Sequence, residues 1–298
     1  MRGVKLSGAV AMTAALALAG CQPGAGAPGA EANVGKKLNA YTMAYNALTQ
    51  SNLGLEDQYL RYAELHIPRE SPGDDIVIQP DWVADKLEAL KKARALPGSA
   101  PQLDAAGDKM IATLSQVISR FEGLKTYYES RKYADDGLAR GKQEDPQMIA
   151  DLKAALAAAD DLLLAISNAH DAQSAQDLAK YKSGGDMIAY DEVLAIQKAR
   201  DLVRLFKAPP DLVDPERYKQ GDALVAELEA LVADERSRLE RAGKQGLHDR
   251  NSYFSDSLAN LDKLTGEYRD LKRTKGSDHA DGMVREFNYA IQSMNSGT

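Results

Sequence analysis

Cysteine is nearly absent from the chain, with one residue, Cys21, among 298. Without a second thiol no intramolecular disulfide can form, so the folded part must be stabilised by its core alone. Long apolar runs are missing too. The longest, Gly8–Gly20, has 13 residues, whereas a transmembrane helix needs about 20.

Catalytic motifs are also missing. The sequence has no Gly-x-Ser-x-Gly, no Ser-x-x-Lys, no His-Glu-x-x-His and no glycine-rich phosphate loop. Its four histidines are isolated and include no i, i+4 pair that could place two metal ligands on one helix face. The histidines are His66, His170, His248 and His279. We therefore predict no cofactor, no metal site and no enzymatic activity.

The N-terminus has the pattern of a lipoprotein signal peptide. Two basic residues precede the apolar run, which ends in Leu18-Ala19-Gly20-Cys21. A plain secretory signal or a membrane-spanning helix is the alternative, but the run is too short to span and the only cysteine follows the small residues directly. We predict a signal peptide over 1–20 and acylation of Cys21, palmitate included. Gln22, in place of an aspartate, favours the periplasmic face of the outer membrane.

Residues 21–35 are rich in glycine, alanine and proline and predict a flexible tether with a mean reach of about 20 Å. The formal net charge of −7 becomes −9 when Arg2 and Lys5 leave with the signal peptide. This acidic balance argues against nucleic acid as a partner. The predicted partners are the membrane, through the lipid on Cys21, and an envelope protein.

Beyond the tether, apolar residues recur at helical spacing, and Asp-Pro, Pro-Gly and Gly-Gly pairs separate the stripes. Ile76-Val77-Ile78 is the only candidate extended segment and is too short for a sheet. The pattern predicts one all-α domain over 36–298, an antiparallel bundle of about eight helices without a sheet. The predicted helices cover 36–65, 82–96, 101–131, 146–181, 186–207, 215–243, 248–274 and 278–295.

One local cluster combines aromatic, acidic and basic residues between two predicted helices. Its candidate ligand-binding residues are Tyr127, Tyr128, Tyr133, Asp135, Asp136 and Lys142. They could bind a sugar, a peptide or a hard cation, although two carboxylates supply too few oxygens for calcium. In the structural alternative, the tyrosines belong to the core and an aspartate caps a helical turn.

Three motifs resemble a known family. They are Tyr41-x-x-x-Tyr45-Asn46-x-Leu48, the tyrosine and aspartate cluster through Gly141-Lys142, and the segment from Val284 to Asn295. Their order is similar to that in YiiG-like bacterial lipoproteins, which contain the domain of unknown function 3829. The resemblance covers most of the mature chain and implies an exported, lipid-anchored helical domain without an established activity.

Two classes of function follow. The first is a non-enzymatic binding, scaffolding or inhibitor/immunity module, lipid-anchored in the cell envelope. The alternative is a cell-wall glycan or metal-dependent site built on Tyr133, Asp135, Asp136 and Lys142. Neighbouring carboxylates on one turn diverge, whereas a glycosidase needs two that face each other across the scissile bond. We therefore favour binding over catalysis.

Overall fold

The computed structural model describes residues 28–49, 54–78, 82–244 and 251–296. Within these ranges it contains nine α-helices and no strand, which confirms the all-α prediction. The helices are α1 Pro28–Thr49, α2 Leu55–Glu64, α3 Trp82–Ala95, α4 Pro101–Glu129, α5 Ala139–Gly184, α6 Met187–Arg204, α7 Pro215–Lys244, α8 Asn251–Thr274 and α9 Ser277–Ser296. The predicted signal peptide, Cys21 and the first part of the tether lie outside the described residues. None of the described helices is both long and apolar enough to cross a membrane.

The first predicted helix, 36–65, is two helices in the structure. Helix α1 begins at Pro28, inside the segment expected to be tether, and α2 begins only at Leu55, after Gly54. Proline is well tolerated in a first helical turn. The α1 backbone near Val34 also lies against Gly98, where a Cβ would come within 3.0 Å of the Val34 nitrogen. This close approach, possible because Gly98 has no side chain, holds residues that composition alone assigns to a tether.

Helix α5 starts seven residues earlier than predicted. The sequence predicted a helix that begins at Pro146, but α5 starts at Ala139 and contains Pro146. Proline removes the hydrogen bond that its own nitrogen would donate to the carbonyl of Lys142, and its ring crowds that carbonyl. Lys142 and Pro146 are both exposed, so water can satisfy that carbonyl. The other predicted helices agree with the structure to within about three residues at each end.

The Ile76-Val77-Ile78 segment is a loop with alternating burial. Ile76 and Ile78 are buried, while Val77 is 58% exposed. The two isoleucines belong to the same apolar core as α1, α3 and α4. The segment therefore fixes the long connection between α2 and α3 without forming a strand.

The described residues fall into two compact units, Ala27–Ala169 and His170–Thr298, referred to below as the N-terminal and C-terminal units. The single domain over 36–298 stays a prediction. The division falls within α5. Each unit has its own cluster of buried apolar side chains, which is the physical reason for the division. Periodicity alone shows which helix face is buried but not against which partner, so it could not separate the two cores.

The N-terminal unit is built on α1, α3, α4 and the first part of α5, with α2 added. Ion pairs show that α4 and α5 are antiparallel, because Lys109 pairs with Asp161 and the later Arg120 with the earlier Asp151. In the middle of α1, Tyr41 donates to Asp104 at 3.1 Å and Lys37 pairs with the same carboxylate at 2.8 Å. The Tyr41 ring lies on Gly107, where an added Cβ would come within 2.5 Å of it.

The C-terminal unit is a four-helix bundle of α6, α7, α8 and α9, in which α6 contacts α7 and α9, and α8 contacts the same two helices. It repeats the arrangement around Tyr41: Tyr268 donates to Asp222 at 2.8 Å and its ring lies on Gly221. Lys272, one turn further along α8, pairs with Asp222 at 2.7 Å. Both bundles thus join two helices through a tyrosine that packs on glycine and a lysine that shares its aspartate.

Candidate functional site

The predicted tyrosine cluster forms the end of a hydrophobic core. Tyr127 and Tyr128 occupy the last turn of α4, and Tyr133 lies in the 3-10 turn that follows. Their ring centroids are 5.0 to 6.2 Å apart in tilted or edge-to-face contacts. All three side chains are at most 3% exposed. The rings therefore fill space between helices, as the structural alternative expects, and do not wall an open site.

Asp136 is committed to local hydrogen bonds. It accepts from the Tyr127 hydroxyl at 3.0 Å and from the backbone N–H of Arg140 at 3.2 Å, in the first turn of α5. The Gly141 N–H donates to the same tyrosine oxygen at 3.2 Å. Partial desolvation raises the pKa of Asp136, but these hydrogen bonds outweigh it and leave the pKa below its usual value. Asp136 is a capping residue, not a free ligand.

Asp135 and Lys142 are both exposed, and the structure does not join them to the buried Tyr133. Tyr128 is buried with no hydrogen-bond partner for its hydroxyl among the described residues. That oxygen lies over Gly141, where an added Cβ would be 2.8 Å away. The six predicted residues are therefore close in sequence but do not converge on one cavity.

A groove of about 620 Å³ lies beside this cluster, between α4 and α5. Its lining is mainly polar. The hydrogen-bonding side chains are Ser115, Gln116, Ser119 and Gln147, and the charged ones are Arg120, Arg140, Glu144 and Asp151. Gln116 and Ser119 are exposed, and their side chains make no hydrogen bond to any described residue. Their donors and acceptors remain available to a ligand.

Arg120 organises the floor of the groove. Its Nε donates to Asp151 Oδ2 at 2.6 Å, and a terminal nitrogen donates to Glu144 Oε2 at 2.7 Å. Gln147 donates to the other Asp151 oxygen at 2.8 Å. The hydrogen bond to Asp151 is the main cause that raises the pKa of the Arg120 guanidinium. The two carboxylates hold the guanidinium plane in a fixed orientation.

Arg140 connects the groove to the tyrosine cluster. Its guanidinium donates to the Gly123 carbonyl at 2.8 Å and lies 5.4 Å from the centroid of the Tyr127 ring. A cation over an aromatic face is attracted by the ring quadrupole. The contact fixes Arg140 at one end of the groove.

Sequence analysis missed the groove, although a signal was present. Polar residues and one glycine recur on α4 at i, i+3, i+4 and i+7, and polar residues recur on α5 at i, i+4, i+7 and i+11. These are Gln116, Ser119, Arg120 and Gly123, then Arg140, Glu144, Gln147 and Asp151. Each series is one helix face beside the apolar stripe. Only the pairing of the two helices shows that the faces meet.

The histidines of the described ranges lie in no group of metal-ligating side chains. His66 is exposed and bonded to the Glu64 carbonyl at 2.7 Å, and His279 contacts Glu267 at 2.8 Å. His170 is buried, and His248 lies outside the described residues. No group of three or more histidine, cysteine, aspartate or glutamate side chains in the described ranges could hold a metal ion.

Comparison with known proteins gives a family but no activity. No curated protein and no solved structure matches the chain. The model of the family described as "Protein of unknown function (DUF3829)" matches residues 32–296, which covers both units. The finer resemblance to YiiG-like lipoproteins stays a prediction. The chain therefore belongs to the DUF3829 family.

Proposed function

We propose that the protein is a non-enzymatic binding module of the cell envelope, anchored by a lipid on Cys21 at the periplasmic face of the outer membrane. The proposal places its ligand site in the groove between α4 and α5. The supporting observation is the arrangement of exposed hydroxyl and amide groups around a guanidinium that two carboxylates already hold. The anchor rests on the sequence pattern that ends at Cys21.

The composition of the groove favours binding over catalysis. Its lining contains no histidine, cysteine or lysine that could activate a serine. Ser115 donates to the carbonyl of Ile111 at 2.6 Å, one turn earlier on α4, so its hydroxyl is already in use. The alternative site on Tyr133, Asp135, Asp136 and Lys142 has less support, because Tyr133 is buried and Asp136 caps α5.

The charges of the groove favour a neutral, hydrogen-bonding ligand. Two arginines and two carboxylates balance each other, and both arginines are engaged. The lining on α4 runs from Ser115 to Leu124, a length of roughly 14 Å at about 1.5 Å per residue. An extended peptide of about four residues spans this distance. We therefore propose a peptide segment of an envelope protein as the ligand.

Photo-crosslinking in intact cells tests the binding site. A photoreactive phenylalanine analogue replaces Gln116 in the groove, and the matched control carries it at Glu122, which is exposed on the same helix but outside the groove lining. We expect a discrete protein adduct at position 116 and none at 122, with the crosslinked peptide mapped by mass spectrometry. Equal labelling at both positions, or none at either, would contradict the proposal.

A further inference from the structure

The C-terminal unit buries two carboxyl groups at the centre of its bundle. Glu192 on α6 and Glu235 on α7 are both fully buried. Their carboxyl groups lie within hydrogen-bonding range of each other. Ser257 on α8 donates to Glu192 Oε1 at 2.5 Å. Three helices thus place one hydroxyl and two acids in a single apolar environment.

The other three oxygens of this pair have no donor among the described residues: Glu192 Oε2 and both oxygens of Glu235. Two adjacent carboxylates cannot both stay ionised away from water, because each repels the other and neither is solvated. A proton on one of them removes the repulsion and supplies the missing donor. Ser257 stabilises Glu192 as the acceptor, which leaves Glu235 as the group that carries the proton.

No side chain in the described parts of α6 and α7 supplies a cation that acts on Glu192 or Glu235. Asp191, next to Glu192, is buried and pairs with Arg238 of α7 through a 2.7 Å contact. Asp234 is exposed, and its negative charge acts on Asp191. Arg238 is therefore already matched by a carboxylate of its own.

In their described parts, α8 and α9 place no cation beside Glu192 and Glu235. Beside Ser257 on α8, Asp256 is exposed and acidic. The Asn260 amide of α8 donates to the Ser293 hydroxyl of α9 at 3.4 Å, which places the C-terminal end of α9 near Ser257. That end of α9, after Glu286, contains no charged residue. The charged residues of α9 lie within 278–286, and His279 there contacts Glu267, ten residues or roughly 15 Å along α8 from Ser257.

We propose that Glu192 and Glu235 share one proton in the folded protein and that this shared proton makes the C-terminal unit a pH-sensitive element, tighter near pH 6 and looser near pH 8. Burial is the main cause that raises the pKa of both carboxyl groups, and the neighbouring Glu192 raises that of Glu235 further. The inference is independent of the proposed ligand groove, which lies in the other unit.

The sign follows from proton linkage. Above the ordinary glutamate pKa of 4.5, the unfolded chain releases its proton while the folded pair retains it. The folded state then binds one more proton, so the ratio of folded to unfolded protein falls about tenfold per pH unit until the folded pKa is reached. Removing Glu235 as a titrating group should remove this dependence.

The test compares the full chain with Glu235→Gln and with the control Glu240→Gln, which changes an exposed glutamate of the same helix. Hydrogen exchange, corrected for intrinsic rates and followed by mass spectrometry, measures opening of α6 to α8 from about pH 6 to 8. We expect opening in the wild type and the control to increase about tenfold more per pH unit than in Glu235→Gln. An equal pH dependence in all three proteins would overturn the proposal.

Infrared spectroscopy gives a second readout that does not depend on the stability of the variant. The folded wild type at neutral pH should show the carbonyl band of a protonated carboxylic acid, shifted by deuteration. Glu240→Gln should keep this band and Glu235→Gln should lose it. A wild-type spectrum with only ionised carboxylates at neutral pH would also overturn the proposal.

Discussion

Replacing Arg120 by alanine should destabilise the N-terminal unit, because it leaves the carboxylate of Asp151 without its cation. The side chain of Asp151 is 9% exposed, and after the change only the Gln147 amide would donate to it. Loss of a hydrogen bond to a charged group costs about 1.5–3 kcal/mol, whereas the partly exposed pair with Glu144 adds little. We expect a loss of about 2 kcal/mol in unfolding free energy, below the 3–5 kcal/mol typical of a fully buried pair.

Urea denaturation followed by tryptophan fluorescence suits this measurement. The chain has one tryptophan, Trp82, at the start of α3, so the signal comes from the N-terminal unit. Far-ultraviolet circular dichroism would mix the transitions of two units, each with its own core. With an m-value near 2 kcal/mol/M, the expected loss lowers the midpoint by about 1 M urea.

The matched control is Lys109→Ala on the same helix. Lys109 pairs with Asp161 at 2.5 Å, but both side chains are about half exposed, so the change should cost at most about 0.5 kcal/mol. Arg120→Lys keeps the charge but loses the planar fork and should give an intermediate loss. The reasoning fails if Arg120→Ala costs no more than Lys109→Ala.

Three further experiments test a packed glycine, a buried histidine and the lipid anchor. Gly107→Ala places a Cβ 2.5 Å from the Tyr41 ring and should lower the unfolding free energy by about 1–3 kcal/mol in the same urea assay. The control Gly123→Ala, with nothing within 4 Å of its Cβ, should be neutral or stabilise by up to about 1 kcal/mol. Equal effects of the two changes would exclude a packing role for Gly107. Burial first, and then the charges of Arg200 and Arg204, lower the pKa of His170 to about 3. Below about pH 6.5 the unfolded chain therefore binds a proton that the folded chain does not. Hydrogen exchange near His170 should show that the stability of the wild type declines as pH falls from about 6.5 to 3, and that of His170→Leu declines less. The same decline in both proteins would contradict titration of His170 as its cause. Cys21→Ser should abolish palmitate labelling and move the protein to the soluble fraction, and a variant that stays in the membrane pellet after a high-salt wash would contradict the anchor.

Much of the helical architecture follows from local sequence. The apolar stripe of α4 and the cap at Asp214-Pro215 predicted their helices, because side-chain periodicity and capping act within a few residues. Pro146 predicted a helix start, because proline is favoured in the first helical turn, but α5 contains it. The effect of Gly98 could not be predicted from local sequence. Its effect on α1 depends on an approach between residues more than sixty positions apart in the chain.

The functional site was harder to predict than the fold. The sequence favoured residues that are neighbours in the chain, such as Asp135 and Asp136. Of these two, Asp136 accepts hydrogen bonds from the Tyr127 hydroxyl and the Arg140 N–H, which explains its place in the turn. Arg120 meets Asp151 only because α4 and α5 are antiparallel. The burial of Glu192 and Glu235 also depends on the pairing of α6 and α7, and a glutamate in a helical sequence ordinarily predicts an exposed face.

The central claim is that the groove between α4 and α5 holds a ligand, and filling the groove tests it most directly. Ser119, exposed in the lining of α4, is changed to tryptophan while the photoreactive group stays at position 116. The control places tryptophan at Ala112, which is exposed two turns earlier and outside the lining. The account predicts that Ser119→Trp eliminates the adduct with the fold intact by circular dichroism and that Ala112→Trp preserves it. An undiminished adduct in the Ser119→Trp protein would contradict the claim.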